Sequence, residues 1–191
     1  MAVVADAGYG SEENYAYLEQ HGLGNFVKYN TFYQDTHHYQ QPAVIRKHQF
    51  RAENFGYDLD KDVFICPAQH ELHFRYTSRY ITENGYVTNR RLYECDQCGQ
   101  CPLKPQCTMA KGNRKIRISF RLLEYRRQAR ANLTTEHGQR LRVQRSIDVE
   151  TVFGCIKQNM GLRRFHLRGL EKVKTEWGLV SIAHNMRKLA G

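Results

Sequence analysis

The order of apolar and polar residues predicts a strand–helix–strand unit at the start of the chain. Residues 2–6, AVVAD, form an apolar run of strand length that ends in an aspartate. Ser11 is a helix N-cap candidate for a helix over residues 12–21, and residues 25–30 predict a second strand. Because two parallel strands do not stand alone, we expect this unit to lie in the middle of a larger α/β sheet.

The pattern then changes twice along the chain. Residues 31–60 are polar and aromatic without clear periodicity, whereas residues 62–120 alternate as strands do, in LHFRYTSRYIT and GYVTNRRLYEC. Helical periodicity predicts helices over residues 122–133, about 139–160, and 171–189. We therefore expect part of an α/β core over residues 1–30, a β-rich insert over 31–120 and the C-terminal helices of the core over 121–191.

Charge separates the two halves of the chain. The whole chain has a formal net charge of +10, but residues 1–100 carry 9 basic and 13 acidic side chains, and residues 101–191 carry 20 and 6. The excess of positive charge in residues 101–191 favours a polyanionic partner, most commonly nucleic acid. The alternative is a solvated basic surface with no ligand.

No apolar run approaches the length that spans a bilayer, and the first residues lack the basic segment of a signal peptide. We expect a cytoplasmic protein without a membrane partner. The six cysteines are then expected to be reduced or metal-bound.

Five of these cysteines are candidates for a zinc site. The segment CDQCGQCPLKPQC contains Cys95, Cys98, Cys101 and Cys107, and Cys66 precedes it in CPAQHEL. Thiolates two residues apart across a tight turn can share one tetrahedral Zn²⁺, and a site with four protein ligands is structural. The matching Cys-Pro pairs favour Cys66, Cys98, Cys101 and Cys107, with Cys95 as the alternative ligand.

The cysteine segment allows two further interpretations. His70 and His73 can substitute for a thiolate ligand, since imidazole also binds zinc. The cysteines can also be buried free thiols of a small β core.

Two carboxylates lie at positions where a hard cation can bind. Asp6 ends the first predicted strand, and Glu150 borders the apolar stripe of a predicted helix, with Lys157 two turns later. Carboxylates that converge from a strand end and a helix can hold Mg²⁺, and paired ions of this kind promote phosphodiester cleavage. A purely structural role is the alternative for each residue, an ion pair for Glu150 and a turn or cap for Asp6.

Three stretches carry a resemblance to a known family. They are VVADAGYGSEENYAYLEQHGL, the cysteine segment, and a C-terminal stretch with R-x4-E-x6-K, G-x-R-R-F-x-x-R-G and A-H-N-x-x-K. In this order they resemble the C-terminal part of a DDE-type transposase of a bacterial insertion sequence. The resemblance covers essentially the whole chain.

The resemblance implies an RNase H-like catalytic core in which an Asp–Asp–Glu triad holds two Mg²⁺ or Mn²⁺ ions. Asp6 resembles the second Asp and Glu150 the Glu, while Lys157 and Arg145 resemble basic residues that hold DNA near the site. The implied partner is DNA, both the insertion-sequence ends and the target, and a homodimer is compatible with this activity.

The resemblance leaves the first Asp of the triad without a counterpart, because only five residues precede Asp6. We expect a partial RNase H-like fold that lacks its first strands and a chain largely inactive in cleavage by itself. The alternative is a non-catalytic, zinc-containing DNA-binding protein, either a remnant or a domesticated form of a transposase.

A run of basic residues follows Glu150. Arg163, Arg164 and Arg168 lie within two dozen residues of this carboxylate. Arginines in this position can neutralise DNA phosphates beside a cleavage site, in a contact that salt weakens. A solvated surface is again the alternative.

Overall fold

The computed structural model describes residues 1–36 and 49–190 as a mixed α/β protein. The chain divides into two compact units, Met1–Thr135 and Glu136–Gly191. Within the described residues the strands are β1 (Ala2–Ala5), β2 (Gly24–Val27), β3 (Gly56–Asp58), β4 (Val63–Ile65), β5 (Glu71–Ile81), β6 (Val87–Cys95) and β7 (Lys115–Ile118). The α-helices are α1 (Glu12–Gln20), α2 (Phe32–Thr36), α3 (Lys104–Cys107), α4 (Phe120–Thr134), α5 (Glu136–Gly154) and α6 (Leu170–Ala190).

The predicted strand–helix–strand unit is confirmed, but within the described residues its two strands form a sheet by themselves and are not part of the larger sheet that was expected. β1 and β2 pair in parallel, with Ala2 opposite Gly24 and Ala5 opposite Val27. The helix α1 begins after Ser11, whose hydroxyl accepts a hydrogen bond from the Asn14 backbone amide at 3.1 Å. This bond satisfies one of the amides that the first turn of a helix leaves unpaired.

The β-rich segment is also confirmed, as a five-stranded antiparallel sheet in the order β3-β4-β5-β6-β7. Consecutive strands pair throughout this sheet, so its connections are local. Its buried face includes Phe64, Leu72 and Tyr93. The connection predicted over residues 31–60 contains α2 and β3, and residues 37–48 of it lie outside the described part of the chain.

The helix α4 joins two clusters of buried side chains in the first unit. Its residues Tyr125, Ala129 and Leu133, spaced four apart, are buried in the cluster that also contains residues of α1 and β2. Phe120 and Leu123, at its start, pack against the cluster of the five-stranded sheet. The helix α4 therefore belongs to the compact unit that holds both sheets, and the boundary between insert and core at residues 120–121 stays a prediction.

The second unit consists of α5, a π-helical turn at Cys155–Asn159 and α6. The ring of Phe153 stacks on the indole of Trp177, with centroids 5.9 Å apart, and Ile156 is buried. Both long C-terminal helices predicted from periodicity are thus confirmed. None of the helices in residues 1–36 and 49–190 has both the length and the apolar character that a membrane span requires.

Candidate functional site

The parallel strand β1 places Asp6 at its carboxyl end. The backbone carbonyl of Asp6 accepts a hydrogen bond from the Tyr9 amide at 3.0 Å, which starts a 3-10 turn over Ala7–Tyr9. The Asp6 side chain is 52 % exposed, and one of its oxygens lies 3.5 Å from Nζ of Lys28, whose side chain is only 13 % exposed. The carboxylate is therefore half exposed and lies beside a mostly buried cation.

Glycine at position 10 allows the loop after Asp6 to approach the backbone of Lys28 and Tyr29 closely, just after β2. A Cβ atom there would lie 2.5 Å from the Lys28 carbonyl oxygen and 2.9 Å from both the Tyr29 Cα and the Tyr15 hydroxyl. Only glycine fits this contact without displacement of the backbone. Lys28 and Gly10 are thus supporting residues for Asp6, and no local pattern in the sequence identified them.

In the second unit, Glu150 is an exposed residue of α5. Lys157 lies in the π-helical turn, where its Nζ is 5.8 Å from the centroid of the Phe153 ring. Turns of this kind are frequent at functional sites because the extra residue changes the direction of the side chains around it. Arg145 is a half-buried residue earlier on the same helix.

Three of the four predicted DNA-binding arginines lie on one loop, residues 161–169, which we name the arginine loop. Arg163, Arg164 and Arg168 are all exposed. Gly161 and Gly169, at its two ends, have φ angles of 73° and 87°, in the left-handed region that favours glycine.

Glu176 of α6 anchors the arginine loop, a role that the sequence pattern did not predict. Its carboxylate accepts hydrogen bonds from the backbone amides of His166, at 3.0 and 3.1 Å, and Leu167, at 3.0 Å. It also lies 3.1 Å from Nδ1 of His166. These backbone donors hold the pKa of Glu176 below its usual value, since they favour the ionised form.

Asp6 belongs to the first compact unit, whereas Glu150, Lys157 and the arginine loop belong to the second. The structure gives a local geometry for each group of residues. The convergence of the two carboxylates on shared metal ions stays a prediction.

The five clustered cysteines line one cavity of about 20 Å³ in the first unit, together with His70. Cys66 and Cys98 each begin a tight turn, closed by hydrogen bonds from Gln69 to Cys66 at 2.8 Å and from Cys101 to Cys98 at 3.4 Å. The sulfur of Cys98 also accepts a hydrogen bond from the Arg114 amide at 3.3 Å. Turns of this type with amide donors to sulfur are suited to hold thiolates.

Protonation of these thiols depends on their burial. Burial raises the pKa of Cys95 to about 12 and also raises the pKa of Cys107. Without a cation both stay protonated, whereas a bound divalent ion would favour their thiolates. Within residues 1–36 and 49–190, no three His, Cys, Asp or Glu side chains converge in the arrangement of a metal site. His73, the second imidazole considered for zinc, is not among the residues that line the cavity.

Comparison with known protein families gives a match. A family model described as "Transposase DDE domain" matches residues 65–190, which include Glu150, the cysteines and the arginine loop. Curated proteins and solved structures give no match.

Proposed function

Because the chain belongs to the transposase DDE domain family, we propose that it is the C-terminal part of a metal-dependent enzyme that cleaves and joins DNA strands. A domain of this family indicates a function in transposition and DNA as the substrate, and its members generally use divalent metal ions. The observation that carries the proposal is the family match over a segment that contains Glu150 and the exposed arginines beside it.

In this proposal Asp6 and Glu150 are metal ligands. Asp6 follows a parallel strand with its carboxylate half exposed, and Glu150 is exposed on α5. Carboxylate oxygens fit Mg²⁺ or Mn²⁺, which when bound would activate the attacking hydroxyl and stabilise the leaving oxygen. The strand pair, with α1 and the C-terminal helices, would then be part of an RNase H-like core.

The basic residues contribute to substrate binding. Arg163, Arg164 and Arg168 would neutralise backbone phosphates, and Glu176 would hold their loop in one conformation. Lys157 and Arg145, on the segment that carries Glu150, would keep the strand close to that carboxylate. These contacts are electrostatic, so binding is expected to weaken as salt rises.

The thiol donors of the cysteine cavity are those that a structural zinc ion prefers, and binding would have to draw them together, because no three of them converge as a metal site within the described residues. We assign Cys66, Cys98, Cys101 and Cys107 as the ligands because they lie on turns or on the short helix α3. Cys95 instead ends strand β6 and is only 1 % exposed. Thiolates here would bind the ion and cross-link the turns, without an open position for catalysis.

Metal binding and DNA cleavage test the proposal with the full chain. We expect Mn²⁺ affinity, measured by calorimetry, to fall by about tenfold or more in Asp6→Asn and in Glu150→Gln. Glu136→Gln is the matched control, because Glu136 is an exposed carboxylate of α5 that pairs with Arg140 at 3.9 Å.

DNA nicking is measured in parallel on supercoiled plasmid with Mn²⁺. The resemblance assigns two of the three triad carboxylates to this sequence, so we expect weak nicking that disappears in both variants. If Mn²⁺ affinity and DNA binding are the same in the unmodified chain, the two variants and the control, the assignment of Asp6 and Glu150 as metal ligands is contradicted. Salt-sensitive DNA binding without metal binding would instead favour the non-catalytic DNA-binding protein.

A further inference from the structure

Strands β5 and β6 extend beyond the rest of their sheet. β5 pairs with β4 only from Glu71 to His73, and β6 pairs with β7 only from Arg91 to Glu94. The β5–β6 pairing continues to Ile81 opposite Val87, beyond the last partner of either outer strand. Residues 78–90 of this hairpin are two-stranded, and we use the name ribbon for residues 76–92, which add the two pairs that lie beside β7.

One face of the ribbon carries exposed aromatic rings. Tyr76 and Tyr80 lie opposite Leu92 and Thr88, so both point to the same side of the ribbon. They are 52 % and 46 % exposed. Large aromatic side chains contribute to stability mainly by burial, so two exposed rings on one face indicate an interaction surface.

Arginines flank these rings. Arg90 lies opposite Ser78 on the same face, with its guanidinium 3.9 Å from the centroid of the Tyr80 ring. Arg117 of β7, opposite Leu92, shares that face. Neither of these two arginines has a carboxylate partner in the part of the chain that the structure describes, whereas Arg91 of the opposite face pairs with Asp62.

The ribbon is anchored to the helix that follows Asp6. The Thr88 hydroxyl donates to Glu12 at 2.7 Å, and the Tyr86 hydroxyl donates to the same carboxylate at 3.2 Å. At the turn of the hairpin, the Thr82 hydroxyl donates to Glu13 at 3.1 Å. These contacts engage both carboxylates and connect the ribbon to the first turn of α1, directly after the loop that Asp6 begins.

We propose that the face formed by Tyr76, Tyr80, Arg90 and Arg117 binds unpaired DNA. Aromatic rings flanked by positive charge are typical of single-strand binding surfaces, because bases stack on the rings and cations contact the phosphates. Arg90 and Arg117 line one cavity with Glu12 and Glu13, the carboxylates that the ribbon's hydroxyls engage. The charge offered to DNA phosphates therefore comes from these two guanidinium groups, which form no ion pair within the described residues. The anchor on α1 places the face in the same unit as Asp6. The inference rests on the proposed function, in which strand cleavage exposes unpaired bases.

Equilibrium binding of a 20-nucleotide single strand and of its duplex, measured by fluorescence anisotropy with chelator present, tests the proposal. We expect Tyr80→Ala to weaken single-strand binding about 5- to 100-fold, as loss of one stacking platform does. Tyr80→Phe should stay within about twofold of the unmodified chain, since the ring is retained. Tyr17→Ala is the matched control, because Tyr17 is an exposed tyrosine of α1 that stacks on His21 instead.

A separate variant tests the contribution of positive charge to single-strand binding. Arg90→Gln should reduce the slope of log affinity against log salt for the single strand by about 0.7, while duplex affinity changes less. Lys111→Gln, which removes an exposed charge outside the ribbon, controls for net charge. Circular dichroism melting of each variant shows that it is folded.

Three results would overturn the inference. They are unchanged single-strand affinity in Tyr80→Ala, equal losses for single strand and duplex, and a change in sedimentation that indicates contact with a second copy of the chain. If the single-strand binding test fails while Mn²⁺ binding still depends on Asp6, this inference alone is refuted. Absence of any DNA binding would refute the proposed function as well.

Discussion

The contact at Gly10 leads to a specific prediction about the loop that carries Asp6. In Gly10→Ala the new methyl group would lie 2.5 Å from the Lys28 carbonyl oxygen and 2.9 Å from the Tyr29 Cα. Both are backbone atoms, so no side-chain rotation relieves the overlap. The φ angle of Gly10 is −77°, a value that alanine adopts readily, so the effect comes from steric overlap alone.

The expected loss of stability follows from this geometry. Overpacking against backbone that must shift costs about 1–3 kcal/mol. A shift of Lys28 would also lengthen its ion pair with Asp6, but a pair with a half-exposed carboxylate contributes at most about 1 kcal/mol. The steric cost therefore dominates, and Tm should fall by about 2–4 °C for each kcal/mol lost.

Urea unfolding followed by far-UV circular dichroism measures this loss, and amide hydrogen exchange in β2 shows whether it is local. Gly8→Ala is the matched control in the same loop, because no atom of the described residues, chain neighbours aside, lies within 4 Å of a Cβ at Gly8. That variant should stay within about 0.5 kcal/mol of the unmodified chain. If Gly10→Ala is as stable as Gly8→Ala, the close approach between this loop and the backbone of Lys28 and Tyr29 is refuted.

Further predictions concern a buried hydroxyl, the cysteines and the anchor of the arginine loop. Tyr15→Phe removes a hydroxyl that donates to a β2 carbonyl at 3.2 Å and should cost about 1 kcal/mol in urea unfolding. Burial raises the pKa of Tyr15 to about 12. The stability that the protonated hydroxyl contributes is therefore complete below the usual tyrosine pKa and is lost as pH rises towards 12. If Tyr15→Phe loses as much stability at alkaline pH as the unmodified chain, this is contradicted. Cys98→Ser should lower the zinc content, measured by mass spectrometry, from about one ion per chain, while Cys155→Ser should leave it unchanged. Absence of zinc in the unmodified chain would refute the site. Glu176→Gln should speed amide exchange in the arginine loop, whereas Glu171→Gln, an exposed carboxylate of the same helix, should not. Because the pKa of Glu176 is depressed in the folded chain, the anchor is present above the usual glutamate pKa and should weaken as pH falls through the depressed value; loop exchange that does not depend on acid pH would contradict it.

Much of the secondary structure was predictable from periodicity. The alternation in LHFRYTSRYIT and GYVTNRRLYEC corresponds to β5 and β6, and the helical pattern after residue 120 corresponds to α4, α5 and α6. These patterns depend on the geometry of a short backbone segment, which a few neighbouring residues determine. The family was also recognisable, because its motifs are contiguous in sequence.

The supporting residues of the candidate sites were not predictable. Glu176 lies ten residues after His166, and nothing in the spacing indicates that its carboxylate accepts the amides of that loop. The need for glycine at position 10 arises from the backbone of Lys28 and Tyr29 after β2, and the packing of α4 depends on a helix more than one hundred residues earlier. Such contacts depend on which distant segments meet.

The sequence by itself thus determined the first strand–helix–strand unit, the β-rich segment, the helices after residue 120, the basic C-terminal half, the cysteine spacing and the transposase DDE domain family. Only the tertiary structure decided that Asp6 lies beside a mostly buried lysine, that Glu176 anchors the arginine loop, and that the ribbon leaves Tyr76 and Tyr80 exposed. The physical reason is that alternation of apolar and polar residues requires only a strand, whereas the exposure of each face of a sheet depends on which other elements cover it.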